Sequence, residues 1–138
     1  MAEVIYGNQD RSSLIVLQVP ISISASTTSG QIAAIELAGA AGTWVHRAWI
    51  NRATQSAAAC TLDIGIAANA TTSSDVLLDG ISINTTGVAD SHNDTDNGTN
   101  GVAKPQLATG GQYVTATVAS GNANGFVGTL HILVSGDL

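Results

Sequence analysis

Leu14-Ile-Val-Leu-Gln-Val-Pro-Ile-Ser-Ile-Ser-Ala25 decides how the chain is read. Ile15, Leu17, Val19, Ile21 and Ile23 recur at every second position, and Gln18, Ser22 and Ser24 fall between them. Successive side chains of an extended chain point to opposite faces, so this alternation describes a long β-strand buried on one side. Pro20 has no N–H to donate, which places the strand at a sheet edge, a bulge or a bend between two sheets.

The same period recurs along the chain. Cys60, Leu62, Ile64 and Ile66 alternate with Thr61, Asp63 and Gly65, and Val114, Ala116 and Val118 alternate with Tyr113, Thr115 and Thr117. Both runs read as half-exposed strands. Strict alternation over residues 44–52 puts Trp44, His46, Ala48 and Ile50 on one face and Val45, Arg47 and Trp49 on the other. Residues 126–134 are apolar on both faces apart from Thr129 and His131, which describes a central strand covered on both sides. Residues 31–37 suit two turns of helix or a strand; Ile35 and the flanking glycines favour the strand. The connections at 27–30, 39–42, 67–74, 87–104 and 121–125 are rich in Gly, Ser, Thr and Asn. Short strands divided by turn signals, with no helical stretch between them, predict an all-β fold: a jelly roll or related antiparallel β-sandwich in a single domain.

At 138 residues the chain is long enough for one continuous core. Charged residues make up only 10%, against about 25% in ordinary soluble domains. A weakly charged surface of Ser, Thr, Asn and Gly suits a protein docked in an assembly, and equally one with many turns. Four Lys+Arg against ten Asp+Glu give a net charge of −6, which repels phosphate backbones and anionic membranes. Arg11, Arg47, Arg52 and Lys104 form no basic stripe, so nucleic acid is not an expected partner. No apolar run reaches the roughly 18 residues of a membrane-spanning helix. The start, Met1-Ala-Glu-Val-Ile-Tyr6, lacks the basic and apolar regions of a signal peptide, and synthesis in a cytosol is expected.

Catalytic chemistry finds little to work with. Cys60 is the single cysteine and heads an apolar strand face, where a thiol is buried and inert. His46, His92 and His131 fall in different elements, and nothing in their spacing predicts a metal. Asp75 and Asp79 are the nearest carboxylate pair and read as a solvated loop. No Gly-x-Ser-x-Gly elbow and no phosphate-cradling loop occur. In Asp90-Ser-His-Asn-Asp94-Thr-Asp96-Asn-Gly98-Thr-Asn-Gly101, oxygen ligands two residues apart with a glycine to turn the chain are what a calcium loop supplies; Asx turns without a metal explain the same residues. No cofactor is expected.

Residues 1–13 stand apart from the domain at 14–138. Three apolar residues, Val4-Ile5-Tyr6, cannot form a core, so they form either a short edge strand or an arm that buries itself on a neighbour, and the arm is favoured. With few charged residues to guard its sheet edges, the domain is expected to self-associate.

From Ile35 onward the chain resembles a widespread group of small phage head decoration (capsid cement) proteins. The residues that carry this are Ile35-Glu-Leu37, Trp44-Val-His-Arg-Ala-Trp-Ile50, Thr61-Leu-Asp-Ile-Gly-Ile66, Ser74-Asp-Val-Leu-Leu-Asp-Gly-Ile81, Gln112-Tyr-Val-Thr115 and the run 119–128. The resemblance implies a β-sandwich that trimerises on the outer shell of a capsid, binds the major capsid protein and stiffens the shell without catalysis. Val4, Ile5, Tyr6, Trp44 and Trp49 are then the interface candidates. Tail and baseplate proteins share these traits. A virion-borne domain that grips host glycans through Trp44, Trp49 or Tyr113 is the competing reading.

Overall fold

The structure, a computed structural model, describes residues 14–37, 42–93 and 97–136. It is all-β: two antiparallel sheets packed face to face as a sandwich in one domain. The strands are β1 (Ile15–Ser22), β2 (Gln31–Leu37), β3 (Thr43–Thr54), β4 (Cys60–Ala67), β5 (Leu78–Ser82), β6 (Gly87–Asp90), β7 (Gln106–Ala108), β8 (Gln112–Gly121) and β9 (Val127–Gly136). Sheet A runs β1-β9-β3-β6, with β7 also paired to β3, and sheet B runs β2-β8-β4-β5. Pairs β1·β9, β2·β8, β3·β6 and β4·β5 divide alternately between the sheets. This is the order of a jelly roll, in which a long antiparallel ribbon wraps around one core.

The core lies between the sheets, with Leu37, Val45, Ile50, Leu62, Ile64, Val114, Leu130, Ile132 and Phe126 all fully buried. Period-2 alternation puts these residues on inner faces. β1 is an edge strand, the first of the three placements that Pro20 left open. Ile23 both donates to Phe126 and accepts from Gly125, so odd-numbered residues of β1 face β9. By alternation Pro20 turns its nitrogen to the outer edge, where no ladder bond is lost.

Three expectations are corrected. First, residues 44–52 do not alternate strictly. Val45 pairs with Val134 and Arg47 with Leu133, so His46 is an extra residue in a β-bulge. The inner face is therefore Thr43, Val45, Ala48 and Ile50, while Trp44, Arg47, Trp49 and Asn51 face outward. Second, β9 is central but covered on one side only: Leu130, Ile132 and Val134 are buried, whereas Thr129, His131 and Leu133 on the outer face stay partly exposed. The apolar character of both faces came from an uncovered surface.

Third, β4 and β8 are half-exposed only in part: Thr61, Asp63 and Tyr113 stay partly exposed, but Gly65, Thr115 and Thr117 on the same outer face are buried. The connection after β4 folds back over the outer face of sheet B, and the Thr115 hydroxyl, fully buried, donates to the Thr72 carbonyl at 2.9 Å. Gly65 makes this approach possible, because a Cβ there would collide with the backbone and hydroxyl of Ser74. The long connection at 87–104 also contains β6, and residues 97–102 lie along β5: Asp79 donates its N–H to the Asn97 carbonyl at 3.1 Å and Val102 donates to Val76 at 2.8 Å.

Phe126 is the largest fully buried side chain among the described residues. Phe126→Ala is expected to cost about 3–5 kcal/mol, the range for truncating a buried aromatic, read as a lowered midpoint in denaturant with unchanged slope.

Candidate interaction surface

The bulge at His46 decides what sheet A shows to the outside. Strict alternation would put Trp44 and Trp49 on opposite faces; one extra residue brings both to the outer face. The register then places Trp44 beside Ser135 on β9 and Leu107 on β7, and Trp49 beside His131 on β9 and Asp90 on β6. His46 and Ser135 share a hydrogen bond of 2.6 Å, which anchors the bulge.

Trp49 is the closed part of this surface. His131 stacks parallel to its ring with centroids 5.1 Å apart, and the Arg47 guanidinium sits 5.4 Å from the ring centroid. Arg47 is itself clamped by Asp90: its Nε donates to Oδ1 at 2.9 Å and its Nη2 contacts Oδ2. Asp90 Oδ1 also accepts the His92 N–H at 3.0 Å. Burial pushes the Asp90 carboxyl up, but the hydrogen bonds from Arg47 and the His92 N–H outweigh it and hold the group below the ordinary carboxylate value.

Trp44 is the open part, 46% exposed, and it has apolar company. Leu14, Ile15 and Val16 at the start of β1 and Leu107 on β7 are also exposed, and Leu133 lies on the outer face between Val16 and Arg47. Ser135, Trp44 and Leu107 fall in one row across sheet A, which the β1 register carried on by one residue extends to Leu14, and Val16, Leu133 and Arg47 fall in the next. With strands about 4.8 Å apart, the first row spans roughly 14 Å. Most of the large apolar side chains left in water are thus gathered at one end of one sheet. The sequence singled out Trp44 and missed Leu14, Val16, Leu107 and Leu133, whose exposure depends on the bulge and on register.

Val4, Ile5 and Tyr6 lie outside the described residues, as do Asp94 and Asp96 of the calcium reading. Asp90 is engaged with Arg47 and His92. Among the described residues no group of three or more His, Cys, Asp or Glu is arranged to hold a metal ion. Cys60 is 2% exposed, and burial raises its thiol pKa, which makes it a core residue. Asp75 and Asp79 converge on Asn100, which donates its N–H to Asp79 and its side-chain amide to Asp75, each at 3.0 Å. Nearby, Asp63 accepts the Gly80 N–H at 2.9 Å. Its carboxyl is pushed up by burial, against that hydrogen bond, and further by the charges of Asp79 and Asp75. A groove of about 370 Å³ between β5 and β6 is lined by Arg52, Asp79, Ile81 and Ala89, with Arg52 donating to the Ser82 and Gly87 carbonyls.

No protein-family model matches the chain, and no curated protein matches it in sequence. Among solved structures it is similar to a chain of the acidic stable capsid structure of Helicobacter pylori bacteriophage KHP30, with a TM-score of 0.58. The similarity covers 91% of this chain and 89% of that one, at 14% identity. What the two share is the fold.

Two carboxylates pull stability in opposite directions with pH. The depressed Asp90 contributes stability above its unfolded value and loses it as pH falls through its folded value. The raised Asp63 is penalised while ionised and relieved as pH falls through its folded value. Asp63→Asn, which keeps an acceptor for Gly80, is therefore expected to raise the melting temperature at neutral pH, with the gain vanishing in acid. Asp90→Asn is expected to lower it at neutral pH and to converge with the parent in acid. Thermal melts between pH 3 and 8 check both.

Proposed function

We propose that the chain is a structural protein of a phage virion, which decorates the outer surface of the capsid as an oligomer and stabilises the shell. The observation that supports this most is the fold shared over nine-tenths of the chain with a chain of a phage capsid structure. The surface agrees with it: few charges, an apolar patch at one end of sheet A, and side chains placed for packing rather than for turnover. On this reading the protein carries no catalysis, is made in the host cytoplasm, and works on the virion. Its partners are the major capsid protein and copies of itself in a homotrimer, with no part for nucleic acid or membrane.

The arm reading of residues 1–13 belongs to this proposal. Ordering such a segment costs about 1–2 kcal/mol per residue, so it contributes to stability only when docked. The glycan-binding reading loses one of its two tryptophans, because Trp49 is already packed by His131 and Arg47. Tail or baseplate location is the alternative that the fold leaves open.

Deleting residues 2–10 is expected to leave the melting temperature of the domain within a few degrees of the parent and to abolish binding to capsid shells in co-sedimentation or to neighbouring copies in light scattering. Retained binding by the deletion variant would remove the arm from the account, and absence of shell binding by the intact chain would remove decoration. Light scattering is expected to give three chains.

A further inference from the structure

The two long margins of the sandwich are closed differently. Along β5 and β6, residues 91–93 and 97–102 are tied down by bonds from Asp79 to Asn97, Val102 to Val76, and Ser91 to Ala48. Along β1, among the described residues, no segment pairs with the outer edge. The consequence shows in the core. Ile15, Leu17 and Val19 face inward with their partners Val134, Ile132 and Leu130, which are all fully buried. Yet Ile15 is 43% exposed, Leu17 and Val19 are half-buried, and Ile21 alone among β1's inward residues is buried. Across the gap on β2, Ile32 and Ile35 are half-buried too. On this margin the core lacks a strand's width of apolar cover.

The open edge is also able to take a strand. Even-numbered residues of β1 turn their backbone N–H and C=O outward, so Leu14, Val16 and Gln18 offer donors and acceptors up to Pro20, where the ladder must stop. The acceptor is therefore short, about three or four residues, and apolar on both faces: Leu14 and Val16 outside, Ile15 inside. No charged side chain guards residues 14–19.

We propose that this edge, from Leu14 to Gln18, is the acceptor for the Val4-Ile5-Tyr6 segment of a neighbouring copy, which adds a strand to sheet A. The triplet fits in length and in character. Paired on the edge, its alternate side chains fall on both faces: Val4 and Tyr6 extend the row of Leu14 and Val16, and Ile5 covers Ile15, or the reverse. Residues 7–13, Gly-Asn-Gln-Asp-Arg-Ser-Ser, span at most about 25 Å when extended, which limits the donor to an adjacent molecule. The donor is a neighbour on the homo-oligomer reading above, on which this inference rests. Each chain gives its segment from Leu14 and receives another there; passed on in one direction from copy to copy, the contact is heterologous and closes as a ring in the trimer of that reading.

Cysteine pairing tests this directly, since Cys60 is buried and does not compete. Full-length double variants combine Val4→Cys, Ile5→Cys or Tyr6→Cys with Ile15→Cys or Val16→Cys, and are oxidised mildly and run on denaturing gels. At least one combination is expected to form covalent two- and three-chain species, absent from each single variant, with the melting temperature within a few degrees of the parent. An intrachain disulfide, seen as a faster-migrating single chain, would overturn the proposal in favour of the chain's own segment. No disulfide in any combination would also overturn it. Light scattering on the same samples separates the two readings: three chains without a crosslink leaves the trimer standing and removes this contact, whereas a single chain removes both.

Discussion

Sheet A is organised by the ladder between β3 and β9 and by the residue at which that ladder first falls out of step, His46; a second shift follows between Arg52 and Thr54. In step, β3 would put its two tryptophans on opposite sides of the sheet, and one of them would compete with Phe126 and Leu130 for the core. The extra residue, His46, lets Val45 and Ala48 both point inward, while Trp44, Arg47 and Trp49 all point outward. A bulge of this kind leaves one residue without a direct partner in the ladder; here the 2.6 Å bond between His46 and Ser135 ties it to β9. The aromatic character of the outer face, and with it the candidate interaction surface, follows from that local insertion.

The two sheets then meet water in different ways. Sheet B is roofed by its own chain, with the Thr115 hydroxyl bonded into the connection above it and Gly65 making room. Sheet A has no such roof among the described residues. Half of its outer face is closed by side chains alone, through the stack of His131, Trp49 and Arg47 and the clamp of Asp90. The other half leaves Leu14, Val16, Trp44 and Leu107 in contact with water. For burial worth about 25 cal/mol per Å², an apolar patch of this kind is a standing incentive to associate. The weakly charged surface does little to oppose it.

The period-2 alternation of residues 14–25, 60–66 and 113–118 made the class of fold legible, and Pro20 narrowed β1 to an edge, a bulge or a bend, because both signals are local properties of the backbone. The weak reading of residues 31–37 as a strand also matches the structure. Which face is covered was not legible in the same way. Parity failed at His46, since a bulge leaves no mark in composition. The two apolar faces of residues 126–134 read as double burial, although an interface strand and a buried strand have the same sequence signature. Short β5 and β6 sit in stretches rich in Gly, Asp and Asn, and three-residue β7 lies between Pro105 and Gly110-Gly111, where turn chemistry masks strand pairing. Trp44 was found as a candidate by its side chain alone; its neighbours Leu107 and Leu133 come to it only through register.

The account places the proposed contact surface at one end of sheet A, and hydroxyl-radical footprinting of the chain bound to capsid particles, the state proposed for it, against the dissociated chain tests that placement most directly. It predicts that Trp44, Leu107 and Leu133 are oxidised in the dissociated chain and protected in the particle, with Thr71 and Ser73 over sheet B unchanged. Equal oxidation of Trp44, Leu107 and Leu133 in both states, with protection appearing over sheet B instead, would contradict it.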